Sequence, residues 1–202
     1  MYARFLVTLL VLTASSGAHA QDAAPAKPAK SWGGALQVDI ASGGEQASHV
    51  VDTDGKVSLG QGLTLSGGFF FRPVEHSNFE MQLLAGFKGG APYLITVGPY
   101  TDVTRWVFQV LADYRNNDRW YYGGGLVLHG NPKITGDLYG FYGPEDDLHF
   151  DDALGAVVEA GWNWVGVQCT WMQYHASGHG TFDASNCGVR FTLHFRKWHP
   201  AN

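Results

Sequence analysis

Eight stretches of this chain alternate apolar and polar residues with a period of two. The clearest runs from Phe79 to Phe87. Phe79, Met81, Leu83, Ala85 and Phe87 share one parity, while Glu80, Gln82 and, just beyond, Lys88 share the other. Successive side chains of a strand point to opposite faces, so this segment has one apolar face and one charged face. The same reading predicts strands over 32–42, 62–73, 79–89, 104–115, 119–129, 152–162, 165–176 and 187–198. Short connections at 75–78, 116–118 and near Asn163 alternate with long ones at 43–61, 90–103, 130–151 and 177–186. Short turns at one end and long loops at the other are the pattern of an outer-membrane barrel. Trp32, Phe71, Phe79, Tyr114, Trp120, Trp162 and Trp198 all fall beside short turns or chain ends, as a girdle at one membrane interface would. A soluble barrel would bury its apolar face and would have no reason to gather tryptophans at one end. The pattern therefore predicts an all-β fold, an eight-stranded antiparallel transmembrane up-and-down β-barrel.

The polar parity then lines the lumen. It carries Asp39, Arg72, Glu80, Lys88, Arg105, Asp113, Arg115, Arg119, Glu159, Arg190 and Arg196. Eight strands enclose a space that side chains fill. An unpaired buried charge is costly, so these groups are expected to pair with one another rather than line an ion pathway.

The N-terminus sets the compartment. Arg4 precedes the apolar run 5–13, and small residues lead to Ala18-His19-Ala20. This is the layout of a signal peptide, and the run is too short to span a bilayer as a helix. Three regions follow: a signal peptide over 1–20, a Pro/Ala/Lys-rich periplasmic tail over 21–31, and a barrel over 32–202 in the cell outer membrane. Loss of residues 1–20 leaves a net charge of −6, which argues against nucleic acid as a partner. The expected partners are outer-membrane lipid and lipopolysaccharide. No cofactor is expected, and the pattern leaves the oligomeric state open.

The last strand contains Asn186-Cys-Gly188-Val-Arg-Phe191-Thr-Leu193, then Phe195. This resembles the C-terminal signal read by the bacterial barrel-assembly machinery. Here Arg196-Lys-Trp-His-Pro-Ala-Asn202 follows, where such chains often stop at the aromatic.

One constellation carries potential chemistry. His175 and Ser177 continue the outward stripe of Val167, Cys169 and Trp171, and Asp183 lies on the outward stripe of Cys187 and Val189. Pairing of 175 with 183 is compatible with strand parity. A serine, a histidine and an acid are the parts of an activated nucleophile. The arrangement resembles the lipid A 3-O-deacylases, eight-stranded outer-membrane esterases with a lipid-facing His-x-Ser-Asn motif and a Glu on the last strand. That resemblance implies catalytic roles for His175 and Ser177. The motif's Asn is Gly178 here, and the Glu position has at best Asp183. Segments 150–161 and 183–188 resemble instead the non-enzymatic small barrels, such as outer-membrane protein W and the opacity-type proteins. The missing Asn matters, because an oxyanion donor is worth roughly 3–4 kcal/mol of barrier. The leading expectation is thus a structural, adhesion or amphiphile-binding barrel, with a lipid A ester hydrolase as the alternative.

No metal site is expected. His175 and His179 lack a third ligand, and the acids at 145–147 and 151–152 match no defined calcium spacing. Cys169 and Cys187 share a face on neighbouring strands, so either a cross-strand disulfide or two free thiols fits the pattern.

Overall fold

The computed structural model describes residues 31–49, 56–73, 78–89, 102–116, 119–135 and 147–196. The proposed signal peptide, nearly all of the tail and Trp198 lie outside them. In chain order the strands are β1 (Ser31–Ser42), β2 (Gln46–His49), β3 (Lys56–Ser58), β4 (Gly62–Arg72), β5 (Phe79–Gly89), β6 (Asp102–Asn116), β7 (Trp120–Thr135), β8 (Asp147–His149), β9 (Ala153–Trp162), β10 (Val165–Trp171), β11 (Gln173–Ala176), β12 (Gly180–Asp183) and β13 (Asn186–Arg196).

Eight of these close a barrel in the order β1-β4-β5-β6-β7-β9-β10-β13, every pair antiparallel. Closure is made where β1 pairs β13, from Gly33↔Arg196 to Ser42↔Cys187. A closed barrel satisfies every backbone group without an edge, which is the condition for a sheet in hydrocarbon.

The two faces are the inverse of a soluble barrel. On β5, Leu83 is 57% exposed outward while Glu80 and Gln82 are fully buried inward. Leu65, Phe69, Phe108, Val110, Leu126, Leu154 and Leu193 continue the exposed apolar wall. The lumen takes Asp39, Lys88, Arg105, Asp113, Arg115, Glu159 and Arg190. Arg119 departs from the expectation. It sits exposed in the turn before β7, its carbonyl accepting from Asn163 N–H at 2.6 Å, because that register ends the barrel wall at Trp120.

Trp32, Phe71, Phe79, Tyr114, Trp120 and Trp162 are all exposed at the short-turn end, joined there by Tyr122 and Trp164. Trp120 and Trp162 pair directly across β7 and β9 and meet edge to face at 4.5 Å. Aromatics are not confined to that end. Phe87, Trp106 and Trp171 are exposed at the loop end and form a second ring. Phe79 and Phe87 are eight residues apart, roughly 27 Å along the strand and about 20 Å along the normal at a tilt of ~40°. Two rings bounding such a band fit one bilayer leaflet pair.

The turn between β9 and β10 is two residues long, with Asn163 at φ 57. Asn tolerates this left-handed conformation because its side chain bonds locally. Inside the lower lumen the Tyr121 ring lies against Gly161, where an added Cβ would come within 2.6 Å of it. Arg115 stacks over the same ring at 4.7 Å. The glycine thus makes room for an aromatic that fills the lumen.

Candidate functional site

The inward parity places two charged clusters at different depths. In the lower one Glu80 accepts from Arg72 Nε at 2.8 Å, Arg115 Nε at 2.9 Å and Gln82 Nε2 at 3.2 Å. His194 Nε2 lies 3.1 Å from the same carboxylate. Gln82 also donates to Asp113 at 2.6 Å. The second cluster centres on Arg190, which ion-pairs with Glu159 and donates to Gln37 and, at 3.3 Å, to Gln109. Gln37 in turn donates to Asp39 at 2.6 Å. Six of the eight barrel strands, all but β7 and β10, thus contribute a member, and each cluster ties β6 to β13 on the opposite wall across the lumen. Their mutual pairing is the expected way to keep so many charges in a narrow interior.

Above these clusters the lumen has little free space. A cavity of about 10 Å³, room for roughly one water, lies between Asp39, Thr64, Lys88, Gln109, His129 and Asn186. Lys88 Nζ donates to Gly60 O at 2.8 Å, and His129 Nδ1 meets Tyr174 Oη at 2.6 Å. Over this layer sits an apolar cap. Leu59, Val103, Ile134, Leu148, Phe150, Met172, Tyr174 and Phe182 are buried together, with the Phe150 ring tilted against Tyr174 at 5.3 Å and edge to face with Phe182 at 5.8 Å. The cap exists because the inward parity turns apolar past the bilayer: Met172, Tyr174 and Ala176 follow Gln168 and Thr170 on one stripe. That change was visible in the alternation, yet the pattern of β10 alone does not say that β11 and β12 would cover the lumen.

The catalytic candidates lie on the hairpin that makes the cap's outer side. β10 ends at Trp171 and Met172 interrupts it, because Ala184 N–H bonds Met172 O and Ser185 Oγ accepts from Met172 N–H. The β11–β12 register then sets His175 opposite Thr181 and Gln173 opposite Asp183. Parity allows 175 to pair with 183, and the register formed lies two residues from that pairing, which leaves both side chains on the exposed face. His175 Nδ1 rests 3.4 Å from Thr181 Oγ1, and no hydrogen bond joins it to Ser177 or Asp183 among the described residues. Asp183 is engaged elsewhere: Oδ1 accepts from Ser185 N–H at 2.8 Å, and its backbone binds Glu45. Ser177 is exposed in the turn, and Gly178 at φ 82 has open space where a Cβ would point.

Cys169 and Cys187 are directly paired across β10 and β13, with their Cα atoms 4.1 Å apart and their sulfurs bonded. The bridge sits one residue below the point where the hairpin leaves the wall. Of the acidic loop cluster, Asp152 accepts from Asn131 N–H at 2.8 Å, and no metal-binding group of three ligands occurs among the described residues. In sequence, segments 43–61, 90–103, 130–152 and 172–185 together hold eleven carboxylates and two lysines, so the long connections are strongly acidic.

No family model and no curated protein matches the chain. Among solved structures, two of Ail, the attachment invasion locus protein of Yersinia pestis, are similar over 81% of this chain and 97% of that one. One is 9% identical with a TM-score of 0.40. The other, with the heparin analogue sucrose octasulfate, is 10% identical with a TM-score of 0.36.

Proposed function

We propose that this chain is a small outer-membrane barrel with a structural or binding role carried by its outer surface, and not a pore or an ester hydrolase. The observation that carries the reading is the lumen, filled by the Glu80 and Arg190 clusters and covered by the apolar cap. Among the described residues such an interior leaves little room for a solute, which favours chemistry on the lipid-facing wall and the loop end. The acidic loop end suits a neutral or cationic partner better than a sulfated polysaccharide, because like charges across an interface are repulsive. Residues 1–20 supply export under this reading.

The hydrolase alternative needs a nucleophile, its base, an orienting acid and an oxyanion donor held together. His175 without a hydrogen bond to Ser177 or Asp183, and an open Gly178, support the non-catalytic reading. Purified protein in detergent micelles is expected to release no hydroxy fatty acid from lipid A above background. Release by the wild type that both Ser177→Ala and His175→Ala abolish, with each variant still folded, would replace the proposal with the hydrolase.

A further inference from the structure

We propose that the outer rim of β6 and β7 holds a seat for one membrane lipid, whose anionic phosphate is the recognised group. The seat rests on the reading of this chain as a membrane barrel. β6 and β7 pair regularly from Asn116↔Trp120 up to Trp106↔Gly130, and the register then shifts before resuming at Thr104↔Lys133. Asn131 lies inside the shift at φ 47, its N–H held by Asp152. A bulge bends a strand and re-aims its side chains. Here it coincides with a pocket of about 360 Å³ on the outer wall, within the size range of small-molecule sites.

The pocket is divided by polarity. Phe87 and Trp106 wall its bilayer side, meeting edge to face at 5.5 Å, and both belong to the upper aromatic ring. Aromatic rings at that depth mark the headgroup level. Thr104, Asn131, Lys133 and Thr135 wall its water side. Lys133 is half-buried and makes no ion pair among the described residues. Behind the wall Arg105 is buried, with Nη2 on Gln61 O at 3.3 Å and with Nε and Nη1 unpartnered among the described residues. Asp102 lies within electrostatic reach of Arg105, and Asp147 stands opposite Thr135. Both acids belong to the Asp102–Thr135–Asp147 row, two residues farther from the bilayer than Lys133 along β7. Lys133 thus lies between the aromatics and the Asp102 row, with the Asp152 carboxylate beside it on the Asn131 N–H. An amphiphile with its chain on Phe87 and Trp106 and its phosphate at Lys133 matches that order. The acidic surroundings disfavour a second anion, so one lipid per barrel is expected.

The test uses the full-length barrel, stripped of lipid in detergent and offered diphosphorylated lipid A, phosphatidylglycerol or zwitterionic phosphatidylcholine, with retention read by native mass spectrometry. One lipid should be retained, anionic over zwitterionic, and Lys133→Gln should weaken retention about fivefold. Trp106→Leu should weaken it as well. Retention of lipid A alone assigns the seat to a glycolipid phosphate, of phosphatidylglycerol alone to a phospholipid, and of both to phosphate itself. A heat-dependent gel shift is read on every sample. Wild type without the shift overturns the barrel reading and the seat with it. Shifted protein that retains no anionic lipid, or retains it equally after Lys133→Gln, overturns the seat alone.

Discussion

Replacing Glu80 by Ala is expected to destabilise the folded barrel by about 3–5 kcal/mol, the usual cost of leaving a buried ionic partner without its counter-charge. Glu80 is fully buried and accepts from Arg72, Arg115 and Gln82, with His194 at 3.1 Å. Arg72 keeps a 12% exposed side chain at the short-turn end and has access to water there. Arg115 cannot, and its remaining acid is Asp113 at 4.0 Å. Glu80→Gln keeps an acceptor and should cost less. Asp183→Ala, at an exposed hairpin position, should cost under about 1 kcal/mol, as a surface site does. Urea unfolding of the barrel in lipid vesicles, followed by gel mobility, gives all three values. Equal small losses for Glu80→Ala and Asp183→Ala would mean that the lumen is hydrated and the cluster is not what holds the walls together.

Leu83→Arg is the second large effect. Leu83 is exposed on the outer face midway between Phe79 and Phe87, so the arginine would sit near the bilayer midplane. A charge there costs roughly 2–4 kcal/mol, falling to about 0–1 near the interfaces. Phe79→Arg, four residues along the same face at the aromatic ring, should therefore be the milder change. The same unfolding measurement, made with both variants in one lipid, reads the difference. A barrel in which the two substitutions cost the same would have no hydrocarbon at Leu83.

The alternation of Phe79 to Phe87 was enough to place β5 and both of its faces, and similar stripes placed the other seven barrel walls. Parity determines which side a residue takes, and lipid outside with charge inside makes that side unambiguous. Parity does not determine register. His175 facing Thr181 and His175 facing Asp183 differ by a two-residue slip that changes no face, so the pattern could not distinguish them. The short strands β2, β3, β8 and β12 were unreadable for a different reason: at three or four residues they hold too few alternations to stand out from loop sequence. The lipid seat was hidden for a third reason. Lys133 and Trp106 are 27 positions apart, and only the shifted β6–β7 register brings them to one pocket.

This chain closes into a barrel with an apolar outer wall and its charges inside, the form in which strands cross a bilayer. Gel mobility of the full-length protein, recovered from outer-membrane fractions and run in SDS with and without boiling, tests it most directly. A compact, faster band before heating that shifts to the full-length position after boiling is expected. Recovery as a detergent-free soluble protein whose mobility does not change on heating would contradict it.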